Sequence, residues 1–242
     1  MNITNFADLI SLVWFLACWL GYTHYSRRMS VRKPSLTNSL DLYREDWIRA
    51  CVKRENRVAD ASVIGNLERN GAFFASSCML ILAGILTALG YTEEIIEVFS
   101  ALPFATEQDK WVWELRMVVM IVLFVYAFFK FTWSMRLYNF VAVMISSAPH
   151  PDDIKVTPAA REALSVHAGR ICNQAGDAFN LGLRTYYYAL AVISWFMSPY
   201  LFMVTSTFIV WVLYRREFKS EALKALRSGK VFEDVANYTA DR

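Results

Sequence analysis

Histidine is scarce in this chain, and its three copies, His24, His150 and His167, lie far apart. That spacing supplies no set of metal ligands, and His150-Pro151-Asp152-Asp153 reads as a solvated acidic turn. The four cysteines, Cys18, Cys51, Cys78 and Cys172, form no CxxC pair, so they read as small buried residues without disulfides. HExxH, the P-loop, GxGxxG and GxSxG are all missing. Nothing local therefore marks a metal site, a cofactor cradle or an activated nucleophile, and the chain is read as neither an enzyme nor a cofactor protein. A net charge of +3 is too small to imply nucleic acid, and the bases are not gathered into one patch.

Apolar residues are what the chain has in excess: 56% are hydrophobic, 15% are aromatic, and the mean hydropathy is +0.28. The excess sits in blocks, Phe6–Tyr22, Ala72–Tyr91, Trp111–Ile145 and Tyr186–Tyr214. Several approach or exceed the roughly 20 residues that cross a ~30 Å hydrocarbon layer. The expected fold class is all-α, an integral membrane bundle of four or five passes whose long helices extend into a cytoplasmic helical layer.

Charge gives the direction. Asp8 precedes the first apolar block, and Arg27, Arg28, Arg32 and Lys33 follow it, the reverse of a cleaved signal peptide. Flanking bases stay in the cytoplasm, which places the N-terminus outside. The segment from Thr92 to Lys110 carries Glu93, Glu94, Glu97, Glu107 and Asp109 against Lys110 alone, a base-poor loop suited to the outer face. Glu114 and Arg116 fall at the outer edge of the third block. The predicted spans are about 6–24, 72–91, 112–134, 183–197 and 200–214, within one membrane domain of residues 1–228 followed by a tail, 229–242.

No proline interrupts residues 35–102. Trp47, Ile48, Cys51 and Val52, then Val58, Ala59, Ser62 and Val63, recur at helical spacing between Arg49, Lys53, Arg54 and Glu55. This predicts a cytoplasmic amphipathic helix over about 41–70 that runs into the second span, with any bend at Gly65 or Gly71. A second cytoplasmic helix is predicted over about 158–182, with Thr157 as N-cap and Pro158 as first helical residue. Its many small residues suit tight packing against the 41–70 helix. In the second span, Gly84 and Ala88 form a small-xxx-small pair that admits another helix.

Ser198-Pro199 breaks the last block. A single helix over Tyr186–Tyr214 would be about 43 Å long and would put Arg215, Arg216 and Lys219 outside, against the positive-inside rule. A hairpin turning at Ser198-Pro199 keeps those bases in the cytoplasm, with the C-terminus.

Polar residues near the predicted inner interface form the candidate network: Arg57, Asp60, Asn66, Lys130, Arg136, Asn139, Asn180 and Arg184. Arg57 and Asp60, at i,i+3, are spaced to pair. Two readings stay open. In one the network lines the cytoplasmic vestibule of a homo-oligomeric conduit for ions or small solutes in the inner membrane. In the other it locks helix ends together in a non-conducting scaffold or regulatory subunit that binds a protein partner at its cytoplasmic helices. Expected partners are the lipid bilayer, further copies of the chain and such a protein, with no nucleic acid.

Four blocks, GNLERNGAFFAS (Gly65–Ser76), VYAFFKFTWSMRLYNF (Val125–Phe140, with Ala148-Pro149 beyond it), FNLGLRTYYYALA (Phe179–Ala191) and VLYRREF (Val212–Phe218), resemble a family of multi-pass membrane proteins of bacteria and plants. That family is catalogued only as a domain of unknown function. The resemblance runs from the first span to about residue 228 and implies membrane location and helical architecture. It implies no activity and no site residue.

Overall fold

Where prolines and caps interrupt the apolar blocks, the helices stop. In a computed structural model, which describes residues 3–100 and 109–228, the order is α1 (Ile3–Arg32), α2 (Leu36–Val52), α3 (Val58–Gly90), α4 (Thr92–Ser100), α5 (Lys110–Ser146), α6 (Pro158–Trp195), α7 (Pro199–Lys219) and α8 (Glu221–Ser228). No strand occurs among the described residues. The tail 229–242 and Glu107 of the acidic segment lie outside them.

Local chemistry explains the boundaries. After Pro34, Ser35 caps α2, its Oγ accepting from the Asn38 amide (3.2 Å). Thr157 Oγ1 accepts from the Ala160 amide (3.2 Å) ahead of Pro158, as the sequence predicts. Ser198 Oγ accepts from the Tyr200 amide (3.3 Å), and Pro199 opens α7. The continuous helix predicted from 41 into the second span is broken, and the break is at neither glycine. It falls at residues 53–57: the Lys53 amide bonds back to Ala50 and Cys51, and Asn56 Oδ1 accepts from the Val58 amide (3.0 Å) to start α3. Asn side chains compete for backbone amides in this way, and hydrophobic spacing does not register it. The segment after Tyr91, read as loop, forms α4, with Glu93 and Glu94 in its first turn where the helix dipole favours acids.

Three helical stretches are long and apolar enough to cross a membrane: Phe6–Arg32, Val58–Gly90 and Lys110–Ser146. The polar first half of α6 and the Arg215-Arg216 end of α7 keep those two helices below the same standard.

The described residues form two compact units. The first comprises 3–29, 76–100, 109–128 and 183–215. Its five principal segments alternate in direction. Asp8 meets Arg116, so α1 and α5 start at one end, and Lys110 meets Glu93 of α4, beyond the end of α3 (2.5 Å). At the opposite end Trp19 packs on Tyr126 (5.7 Å), Phe124 on Tyr186 (5.3 Å), and Cys78 Sγ reaches the Tyr186 hydroxyl (3.5 Å). The chain reverses between α6 and α7: Ser194 Oγ and Thr205 Oγ1 are 2.6 Å apart, and Trp195 stacks on Phe202 at 4.7 Å. A straight helix would hold residues 194 and 205 about 16 Å apart.

The second unit comprises 30–75, 129–182 and 216–228. Its core joins Ile48 and Cys51 of α2, Ile64 of α3, Leu137, Tyr138, Val141 and Ile145 of α5, and Ala168, Cys172 and Ala175 of α6. The small α6 residues let α2 close in: a Cβ on Gly169 would stand 3.5 Å from the Glu45 Cα. Gly182 and Phe131 are closer still, a Gly182 Cβ falling 2.6 Å from the buried ring. On α8, Leu223 is buried and the Leu226 carbonyl accepts from the Tyr43 hydroxyl (3.0 Å).

Candidate functional site

Each unit has a polar centre, and they differ in kind. In the first, Asp8 on α1 accepts from Arg116 Nη2 (2.8 Å) and Trp195 Nε1 (2.6 Å), both at Oδ1. The three are almost wholly buried, at 5%, 1% and 0% exposure. The guanidinium also lies over the rings of Trp195 (5.5 Å) and Phe196 (5.8 Å). Behind it, Trp195, Phe202 and Phe15 stack in a row, with Tyr188 edge-on to Phe15. A dry carboxylate and guanidinium persist only when paired and hydrogen-bonded. The triad therefore fixes the ends of α1, α5 and α6 against one another.

Sequence reasoning did not join these residues. Asp8 precedes the first apolar block and Arg116 falls at the outer edge of the third, and an acid and a base at one depth on neighbouring helices is a legible pairing signal. Trp195 gave none.

In the second unit the polar groups form a chain along α2. Asp41, buried, pairs with Arg44 at 2.8 Å, and the Arg44 guanidinium lies on Gly176, 2.5 Å from where a Cβ would stand. Glu45 accepts from Asn173 Nδ2 (2.8 Å). Arg49 bridges Asp46 and Glu162, both at 3.0 Å. Asp60, buried on α3, accepts at Oδ1 from Trp47 Nε1 (2.7 Å) and from Arg54 (2.6 Å). Beside it, burial and the Asp60 charge push the Cys51 thiol up to about 11. Burial likewise pushes the Cys172 thiol up to about 11, with Arg44 opposing and Asp41 adding to the shift.

The expected Arg57–Asp60 pair is not made. Arg57 donates instead to the carbonyls of Val52 (3.2 Å), Ile145 (3.3 Å), Ala148 (2.7 Å) and Pro149 (3.0 Å). Three of these close the end of α5, where orphan carbonyls and the helix dipole attract a cation. Arg54 and Trp47 take one oxygen of Asp60, and Arg57 is drawn to the free acceptors of a helix end.

The other candidate residues do not converge. Asn66 is exposed and bonds to Arg69. Arg136 is exposed over Phe140 (5.7 Å), Asn139 is exposed, and Lys130 and Asn180 are half-buried. Arg184 belongs to the first unit, buried with its guanidinium 5.7 Å from the Tyr22 ring. Gly84 is exposed with no atom within 4 Å of a Cβ, and Ala88 is half-buried. Glu55, unremarked as a ligand, comes together with His150 and Asp152, one donor atom of each within 4.8 Å of the others. All three are exposed, and His150 Nδ1 already accepts from the Asp152 amide (3.3 Å).

A family profile described as "Protein of unknown function, DUF599" matches residues 10–222. No curated protein and no solved structure matches the chain.

Proposed function

The chain belongs to this family of unknown function, and we propose that it serves in the membrane as a non-conducting scaffold whose polar helical unit binds a protein partner. One observation carries the reading: Asp41, Arg44, Glu45, Arg57 and Asp60 are each tied to a partner inside the second unit, and among its described residues only Arg57 Nε, Asp60 Oδ2 and Asn173 Oδ1 are buried side-chain atoms without one. Asp41 holds Arg44, Asn173 holds Glu45, Trp47 and Arg54 hold Asp60, and Arg57 is bound to four carbonyls. A conduit needs polar groups that exchange partners with a passing ion. A docking platform needs a rigid framework with its surface left free, and Arg136 and Asn139 leave α5 on that surface.

The accompanying topology is five passes in the inner membrane, N-terminus outside, with α6 and α7 as the last two. The alternating directions of the first unit and the basic end of α7 support it. The protein acts as a homo-oligomer, an assignment supported by the open face around Gly84.

Ion flux through vesicles holding the purified full-length protein tests the scaffold. None above protein-free vesicles is expected. Flux that falls in Lys130→Ala or Arg184→Ala would overturn the scaffold and restore the conduit. A C-terminal reporter active only in the cytoplasm, and crosslinked multimers in native membranes, are the expected results for topology and assembly.

A further inference from the structure

Along one side of the first unit, α1 and α7 form a groove of about 500 Å³ lined by Trp14, Met203, Val204, Thr207, Phe208 and Trp211. Its polar atoms are closed on one another. Trp14 Nε1 donates to Thr207 Oγ1 (3.1 Å), and that hydroxyl donates to the Met203 carbonyl (2.9 Å). The groove thus offers carbon and aromatic surface to an occupant, and Trp14, Val204, Phe208 and Trp211 are all exposed.

Met203, Thr207 and Trp211 follow at i, i+4 and i+8 on α7, and Arg215 is the next residue of that row. Its guanidinium sits 5.6 Å from the Trp211 ring. The Tyr25–Tyr214 contact (6.5 Å) brings α1 alongside at the same level, and with it Arg28, one turn beyond Tyr25. Arg28 and Arg215 are exposed, and neither has an ion pair among the described residues. An apolar trough that ends at two uncompensated cations, with tyrosines between, is complementary to an anionic amphiphile. A second copy of the chain suits it less well, because a parallel two-fold contact would set like cations against each other.

We infer that the α1–α7 groove binds an anionic phospholipid, one acyl chain lying along Trp14, Thr207 and Trp211 and the phosphate held by Arg28 and Arg215. The inference rests on the membrane reading of the chain and is independent of whether the protein conducts.

Tryptophan quenching in vesicles of the full-length protein tests it. Phosphatidylglycerol carrying bromine on its acyl chains is compared with phosphatidylcholine labelled in the same way. The expected result is stronger quenching by the anionic lipid, lost in the Trp14→Phe/Trp211→Phe variant. Each of Arg28→Gln and Arg215→Gln should lower the preference for phosphatidylglycerol about fivefold, a surface cation being worth ~1 kcal/mol toward an anionic lipid. These surface changes leave the buried core in place, and unchanged helical circular dichroism checks that. Equal quenching by the two lipids would overturn the site. So would a preference that survives the double arginine variant, or quenching displaced by concentration-dependent self-association. Flux recorded on the same vesicles reports on the scaffold separately.

Discussion

The first unit buries one acid–base pair, where Asp8, Arg116 and Trp195 meet out of reach of water, and holds Arg184 apart from it against Tyr22. The second spreads its charge along α2, and some of it stays wet: Arg49 and Glu162 are 41% and 50% exposed while paired. The same kind of ion pair therefore means different things in the two places. A dry pair is expensive to break, because the survivor is left charged without a partner. A wet pair is replaced by water at little cost. The first unit concentrates its ion pairing in one dry contact, and the second spreads it over several.

The sharpest way to break this comparison is Asp8→Ala, which strands the Arg116 guanidinium. A loss of about 3–5 kcal/mol is expected in unfolding experiments on the micelle-solubilised protein. Asp8→Ala combined with Arg116→Leu should recover most of that loss. Arg57→Ala comes next, at about 1–3 kcal/mol, because it orphans the carbonyls at the end of α5. Its signature is local: faster amide exchange at residues 53–57 and 146–150, with the first unit unaffected. Gly182→Ala drives a methyl into Phe131 and should also cost about 1–3 kcal/mol, whereas Gly84→Ala, open within the subunit, should leave the stability of the dissociated subunit unchanged or slightly raised. Arg49→Ala marks the lower end, at under about 1 kcal/mol.

Cysteine ionisation comes last because it has no effect near neutral pH and acts only in alkali. Cys51 and Cys172, each held at about 11, favour the neutral thiol in the folded state relative to the ordinary 9.0. That contribution is complete below about pH 9 and is lost as the pH rises through about 11. Maleimide labelling resolved by residue should find both cysteines inert at pH 8 in the folded protein and reactive after denaturation.

Much of the fold was legible because proline, apolar blocks and base placement are local signals. Thr157-Pro158 starts a helix, and the chain turns back at Ser198-Pro199. The break at residues 53–57 was not legible, since it depends on one Asn side chain bonding a backbone amide inside an otherwise uninterrupted helical pattern. The polar centres were legible in composition and not in pairing. Arg57 and Asp60 have the spacing of partners, yet each finds a better one on another segment. Arg184 was grouped with residues of the second unit because all of them fall near the predicted inner interface, and the fold assigns it to the first, against Tyr22. Sequence spacing reports what shares a helix face, and the strongest contacts of this molecule join different helices.

The reach of the Asp8 contact bears on how the protein is made. Asp8 precedes Arg116 by 108 residues and Trp195 by 187. At roughly 5–20 residues per second, translation supplies the arginine some 5–20 s after the acid, and the tryptophan about 10–40 s after it. During that interval the first helix carries a carboxylate with neither of its final partners, at the end of the helix where it can stay hydrated. Its seat in the bundle is settled only when α6 has been delivered. A nascent chain that stalls before residue 195 would hold its first helix by an acid that has not yet found its tryptophan.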